Sequence, residues 1–87
     1  MKYVKDYIKS LTPVVQRKLF DIDDLLEDEH MVLVETYVKK EKVEHTCNEM
    51  AIGKTKYYEI LKGALIKVRY KIRELDKIFA MNEQYIK

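Results

Sequence analysis

The C-terminal part of the chain carries a long apolar repeat that almost no helix-breaking residue interrupts. Its apolar positions are spaced 4, 3, 4, 3 and 4 residues apart: Leu61, Leu65, Val68, Ile72, Leu75 and Phe79. After Gly53 the sequence contains no proline and one further glycine, Gly63. This is the spacing of the a and d positions of a heptad. It predicts a single helix from Lys54 to about Glu83, roughly 45 Å long at 1.5 Å per residue.

A helix of that length is too long for a small domain to cover. The 87 residues are enough for one domain, spanning 1–87, near the small end of what folds unaided. The far end of the helix must therefore lie against the N-terminal helix or against a second copy of the chain. We expect a homodimer in which this helix supplies the contact, through Val68, Ile72, Leu75 and Phe79. The alternative is that these side chains pack within their own chain.

The composition predicts an all-α fold of about five helices. Apolar residues make up 47% of the chain, and two glycines and one proline are too few for the turns of a β-rich domain. The single cysteine, Cys47, excludes an internal disulfide and favours a reducing, cytoplasmic compartment. No apolar run approaches the roughly 18 residues of a membrane span, and Lys2 and Lys5 occupy the start of the chain, so we expect no membrane segment.

The N-terminal half shows apolar residues at helical spacing. A first helix is indicated by the residues Tyr3, Val4, Tyr7, Ile8 and Leu11. Thr12-Pro13 then predicts a new helix start, and its apolar face continues through Val15, Leu19, Ile22 and Leu26. A third helix over about 25–40 would begin with a capping box of Asp24 and Glu27. Its predicted apolar face consists of Leu26, His30, Leu33, Val34, Tyr37 and Val38.

Residues 43–65 have the pattern of a helix-turn-helix. A short helix over 43–50 is followed by a corner at Ala51-Ile52-Gly53, and the second helix begins at Lys54. The inner face would consist of Met50, Ile52, Tyr57 and Ile60 or Leu61, with Cys47 as the small residue at the helix crossing. The outward positions of the second helix, where such a motif reads DNA, are Lys54, Thr55, Lys56, Tyr58, Glu59 and Lys62.

Charge is distributed unevenly along the chain although the formal net charge is only +2. The stretch 21–35 contains seven acidic residues and no lysine or arginine. In contrast, 54–77 contains eight basic and three acidic residues, which is a balance of +5. A basic helix on a nearly neutral protein is typical of a DNA-binding face, although such charges also solvate long helices.

The residues 26–68 resemble the pattern of region 4 of bacterial sigma factors, in which a helix leads into a helix-turn-helix. The helix-turn-helix of that pattern ends in a signature similar to Leu61-Lys62-Gly63-Ala64-Leu65. The start of the second helix, Lys54-Thr55-Lys56-Tyr57-Tyr58, is most similar to phage late-gene transcriptional regulators of the autolysin-regulator (ArpU) type. The resemblance covers about half of the chain and does not include residues 1–25. It implies a phage or prophage transcriptional regulator that binds double-stranded DNA, with RNA polymerase as a further candidate partner.

The chain departs from that pattern at three positions. Thr46 stands where a larger aliphatic residue is usual, Ala51 replaces the customary turn glycine, and Gly53 replaces the capping Ser or Thr. If the turn demands a positive φ, Ala51 must adopt a backbone conformation that disfavours a side chain.

The expected recognition chemistry follows from residue type. Lys54 and Lys62 would neutralise phosphates, whereas Thr55, Lys56 and Glu59 are placed to meet base edges. Tyr58 would bond a phosphate or touch a thymine methyl. No arginine stands among the six positions, so the bidentate contact to guanine is missing and one monomer should discriminate weakly.

Other chemistries have little support in the sequence. Gly53-Lys54-Thr55 lacks the second glycine and the preceding strand of a phosphate-binding loop. His45 and Cys47 lack the further ligands of a zinc site. We therefore expect no metal, no cofactor and no enzymatic activity. Two alternatives to a regulator stay open: a DNA-packaging subunit similar to a phage small terminase, and an adaptor or inhibitor that binds proteins and no DNA.

Overall fold

The described residues form five α-helices and no strand, which confirms the all-α prediction. The helices are α1 (Lys2–Lys9), α2 (Pro13–Leu19), α3 (Glu27–Leu33), α4 (Val43–Met50) and α5 (Lys54–Ile86). A turn of π-helix, Val34–Val38, extends α3. This computed structural model describes the backbone of residues 2–86 and the side chains of residues 2–76. None of the described helices is both long and apolar enough to cross a bilayer.

The long helix α5 is the element against which the others pack. Its helical spacing places a stripe of buried residues along one side: Tyr57, Leu61, Ala64, Leu65, Val68 and Ile72. Val4 and Ile8 of α1 and the apolar side of α3 belong to the same core. The N-terminal helix therefore covers part of α5, one of the two arrangements expected from the sequence.

Val68 and Ile72 are buried within a single chain, and this corrects their assignment to a dimer contact. They are 0% and 2% exposed, because α1 and α3 already cover them. Leu75 is half-buried and packs against the same core. Phe79, the fourth residue of the predicted contact, lies outside the described side chains.

The start of α2 agrees with the sequence, but its inner face differs. Thr12 has an extended backbone and Pro13 is the first helical residue, as predicted. Val15 is exposed and Gln16 is buried instead, whereas Leu19 is buried as predicted. Gln16 lies inward because its Nε2 donates a hydrogen bond of 2.9 Å to the carbonyl of Ile8 at the end of α1. A polar side chain with a backbone partner has replaced the apolar one that the spacing predicted.

The beginning of α3 also differs from its prediction. The capping residue is Leu26, whose backbone N–H donates to Glu29 Oε1 at 2.9 Å, so the predicted pair of Asp24 and Glu27 is wrong. Glu29 is consequently buried, and His30 beside it is exposed, contrary to the predicted apolar face. Leu26 is exposed because it precedes the first turn of α3 and caps it through its backbone. On α1, Tyr3 is also exposed, although the spacing placed it on the apolar face.

An ion pair joins α3 to α5 below this cap. Lys67 Nζ lies 2.6 Å from Glu29 Oε1 and also donates to the carbonyl of Asp24 at 2.7 Å. Gly63 leaves room for the carboxylate, because a Cβ added there would lie 3.1 Å from Glu29 Oε2. Burial acts to raise the pKa of Glu29, but the hydrogen bonds from Lys67 and Leu26 outweigh it and hold that pKa below its usual value.

Candidate nucleic-acid interface

The corner between α4 and α5 has the bounds predicted from the sequence. α4 ends at Met50, and Ala51 adopts a left-handed conformation with φ 55° and ψ 45°. The N–H of Ile52 donates to the carbonyl of Cys47 at 3.0 Å, and the N–H of Ala51 to that of Asn48 at 3.3 Å. These two bonds are those of a Schellman motif, which usually has glycine where Ala51 stands. The turn therefore does demand a positive φ, and Ala51 supplies it.

The inner side of the motif is closely packed. Cys47 is buried, as predicted for the residue at the crossing, and so are Tyr57 and Leu61 of α5. Thr46 is also buried, at the position where the family pattern has a larger side chain. The hydroxyls of Tyr57 and Thr36 lie 2.6 Å apart, which links α5 to the π-helical turn. The pKa of Tyr37 is raised, mainly because its side chain is buried and to a smaller extent because Tyr57 is close.

The outward side carries the six residues proposed from the sequence. Lys54, Thr55, Lys56, Tyr58, Glu59 and Lys62 are all exposed. They occupy the first turns of α5. Five of them lie on sides of the helix away from the buried stripe, whereas Lys54 continues the helical spacing of the stripe and lies beside Glu44 of α4. Tyr58 is 54% exposed, and its ring packs edge-on against Tyr57 with the ring centroids 5.1 Å apart. We call these six residues the outward face of α5.

The edge of this face nearest α4 is acidic. Lys54 Nζ lies 3.1 Å from Glu44 Oε1, and both side chains are well exposed. This contact raises the pKa of Lys54. The pKa of Glu44 is lowered, mainly because its carboxylate accepts a hydrogen bond from its own backbone N–H and secondly because it accepts one from Lys54. Farther along α4, His45 Nε2 lies 3.0 Å from Glu49 Oε1. Lys54 therefore reaches a phosphate only by leaving Glu44.

The edge nearest α3 is also acidic. A cavity of about 250 Å³ there is lined by Leu26, Asp28, Glu29, Lys56, Glu59 and Ile60. Lys56 Nζ lies 4.0 Å from Glu59 Oε2, one turn along the same helix. Two of the three side chains assigned to base contacts therefore lie beside each other, next to the carboxylates at the start of α3.

The edge nearest α1 is basic, and the sequence did not identify it as part of the interface. A cavity of about 270 Å³ joins Lys5 of α1 to Tyr58 and Lys62 of α5. A second cavity of about 500 Å³ shares Lys5 and continues to Lys9 and Lys40. A signal was present in the sequence: Lys5 and Lys9 stand four residues apart, on one edge of a helix whose buried residues are Val4 and Ile8.

No family model matches this chain, and neither a curated protein nor a solved structure does.

Proposed function

We propose that this chain is a sequence-specific DNA-binding transcriptional regulator of phage or prophage type. The observation that carries the proposal is the outward face of α5. Six exposed residues with hydrogen-bonding groups begin directly after a corner closed by a Schellman motif. A helix in this position, with polar residues outward and an apolar stripe inward, fits the major groove of duplex DNA.

Within the proposal, the residues of the face divide by the chemistry of their side chains. Thr55, Lys56 and Glu59 meet base edges, and Glu59 accepts a hydrogen bond from a cytosine amino group. Lys62 neutralises a phosphate. Lys54 neutralises another after its ion pair with Glu44 breaks. Lys56 Nζ and Glu59 Oε2 lie 4.0 Å apart and attract each other. This contact must break before both side chains can bind DNA bases.

Selection of binding sites from random duplex DNA tests the proposal. A defined sequence should be enriched by the unmodified chain. Lys56→Ala and Glu59→Ala should each relax that preference by about 1–3 kcal/mol per lost base contact. Lys62→Ala should weaken all sequences about equally and leave the enriched sequence unchanged. Lys18→Ala, at an exposed residue of α2, is the control and should change neither property. If no sequence is enriched and none binds at low salt, the proposal is wrong.

The proposal includes a homodimer, with the contact moved along α5. Because Val68 and Ile72 belong to the core of one chain, the predicted dimer contact is reduced to its other two residues, Leu75 and Phe79. Two recognition helices would then read an inverted repeat. Sedimentation should show a dimer at tens of micromolar. Phe79→Asp should give monomers, whereas Phe79→Leu should not; a monomeric unmodified chain would remove the dimer and leave DNA binding standing.

A second candidate function is binding to a basic protein surface, of which RNA polymerase would be one. The supporting observation is a run of exposed carboxylates before and at the start of α3: Asp21, Asp23, Asp24, Glu27 and Asp28. Exposed Leu26 lies among them and gives the surface an apolar residue. Changing Asp23 and Asp24 to Asn should abolish such binding without affecting DNA affinity.

A further inference from the structure

The surroundings of the outward face favour one direction of approach for DNA. At the α4 edge, Glu44 lies 3.1 Å from the Lys54 ammonium, and Glu49 follows on the same helix. At the α3 edge, exposed Asp28 lines the cavity beside Lys56, together with Glu29, whose carboxylate is buried and paired with Lys67. A phosphate backbone lying over either edge would meet carboxylates, and like charges in close contact are costly.

The α1 edge has the opposite character. The two adjoining cavities share Lys5 and Leu61 and bring together four lysines: Lys5, Lys9, Lys40 and Lys62. Among the residues that the structure describes, no acidic side chain lines either cavity. Thr36, Tyr37 and Tyr58 add hydroxyl groups to the lining. Its other residues are Leu11, Pro13, Gln16 and Leu65. We call this surface the α1 groove.

The α1 groove continues beyond Lys62 along the same side of α5. A cavity of about 390 Å³ places Lys2 of α1 beside Arg69 and Arg73, with Asp76 the one acidic residue among those described in its lining. Lys62, Arg69 and Arg73 are spaced at seven and four residues, so they lie along one side of the helix. Basic groups thus follow α1 and α5 over several turns, as an extended polyanion requires and a small anion does not.

We propose that the α1 groove binds the phosphate backbone of duplex DNA, so that α1 holds one strand while the outward face of α5 enters the major groove. This inference rests on the proposed function and gives residues 1–25 a part in it. DNA then lies toward α1 and away from α4, the helix that precedes the recognition helix in the motif. Lys5 and Lys9 are the positioning contacts, and they read no sequence.

The test compares two variants that lose the same charge. Lys5→Gln with Lys9→Gln removes two lysines of the α1 groove. Lys18→Gln with Lys42→Gln removes two exposed lysines, on α2 and at the start of α4, that line neither cavity. Affinity for one duplex is measured by fluorescence anisotropy across a salt series. The groove variant should reduce the slope of log K against log salt by about 1.8, at about 0.9 per phosphate contact, while the control keeps the original slope.

Direct contact is tested by tethered cleavage in a Cys47→Ala background. A DNA-cleaving reagent attached at Lys9→Cys should cut the backbone beside the site, and the same reagent at Lys42→Cys should not. Equal slopes for the two charge variants, or cutting from Lys42→Cys alone, would overturn the inference and leave the proposed function intact. If the unmodified chain binds no duplex at low salt, the proposed function fails together with it.

Discussion

Ala51 sets the geometry of the corner between α4 and α5. Its φ of 55° lies in the left-handed region, which a β-carbon disfavours by about 1–2 kcal/mol. The turn keeps this conformation because two backbone hydrogen bonds, from Ala51 and Ile52, close it onto α4. By contrast, Gly53 does not have a positive φ, and nothing lies within 4 Å of a Cβ added there. The corner therefore has alanine at the position that favours glycine, and glycine at a position that has room for a side chain.

Replacing Ala51 by Gly should therefore stabilise the protein. Glycine removes the strain of the left-handed conformation, but it also increases the conformational entropy of the unfolded chain. The net gain in the free energy of unfolding should be about 0.5–1 kcal/mol. The matched control is Gly53→Ala, the reverse exchange two residues away at a site with open space. Urea melts of both variants check the expectation, and a destabilised Ala51→Gly variant would mean that the corner does not hold this conformation in solution.

Glu29 is the buried carboxylate that ties the start of α3 to α5. Its pKa is lowered in the folded protein, because hydrogen bonds from Lys67 and Leu26 outweigh burial. Such a group contributes stability above its unfolded pKa of about 4.3, and this stability is lost as the pH falls through the folded pKa.

Glu29→Gln should remove that contribution and part of the acid sensitivity. At neutral pH the variant should lose about 1.5–3 kcal/mol, the usual value of hydrogen bonds to a charged group. The deficit should shrink as the pH falls below the unfolded pKa of about 4.3 and through the lowered pKa of Glu29, because the unmodified protein then also loses the charge. Glu27→Gln, an exposed neighbour in the same helical turn, serves as the control. A deficit that does not change with pH would contradict the role assigned to the ion pair.

At the scale of elements, α5 has two functions on two sides. One side supplies the buried stripe through Ile72, and the other supplies the outward face and the basic side of the α1 groove. The heptad spacing in the sequence is therefore satisfied inside one chain, by α1 and α3, at least as far as Ile72. This is why a coiled-coil interpretation of the whole repeat assigned Val68 and Ile72 to the wrong partner.

Ile72→Ala should consequently destabilise the monomer. The loss of a fully buried isoleucine is expected to cost about 2–5 kcal/mol, independent of protein concentration. Tyr70→Ala, at a residue that is 62% exposed on the same helix, should cost much less. Thermal melts at two concentrations tenfold apart check the expectation. A cost that diminishes at the higher concentration would show that Ile72 lies at a subunit contact after all.

The elements that the sequence predicted well are those whose signals are local. The bounds of α4, the corner and the start of α5 follow from apolar spacing and a glycine, and the structure has them at the predicted residues. The errors at Val15, Leu26 and His30 share a different cause. In each case a polar group with a specific partner, Gln16 on Ile8 or Glu29 on Lys67, determines which side of the helix is buried. Partners eight and 38 residues away are not visible in helical periodicity.

The candidate interface was predictable only along α5. Exposure of its six residues follows from the same periodicity that buries Tyr57 and Leu61. The acidic and basic edges depend on which helices lie beside α5, and that is a property of the tertiary packing. Lys5 lines the same cavity as Tyr58 and Lys62, although it precedes them by 53 and 57 residues in the sequence.

At the scale of the whole molecule, the described chain is an elongated body of 52 × 22 × 21 Å whose charges are segregated. Exposed carboxylates cluster before and at the start of α3 and on α4. Basic residues follow α1 and the facing side of α5, with Asp6, Glu59 and Asp76 among them. A net charge of +2 conceals this arrangement. Segregated charge orients an approaching polyanion, so the proposed function assigns one surface to DNA, and the second candidate function assigns a different one to a basic partner.

The salt dependence of duplex binding by the unmodified chain tests whether this protein binds DNA through its lysines. Fluorescence anisotropy with a random-sequence duplex of about 25 base pairs, enough for more than two helical turns, would be followed from about 50 to 200 mM salt. We expect measurable binding at the low end and a slope of log K against log salt of about −3.6, at about −0.9 for each phosphate that Lys54, Lys62, Lys5 and Lys9 neutralise. Absence of binding at 50 mM salt, or an affinity that does not change with salt, would contradict it.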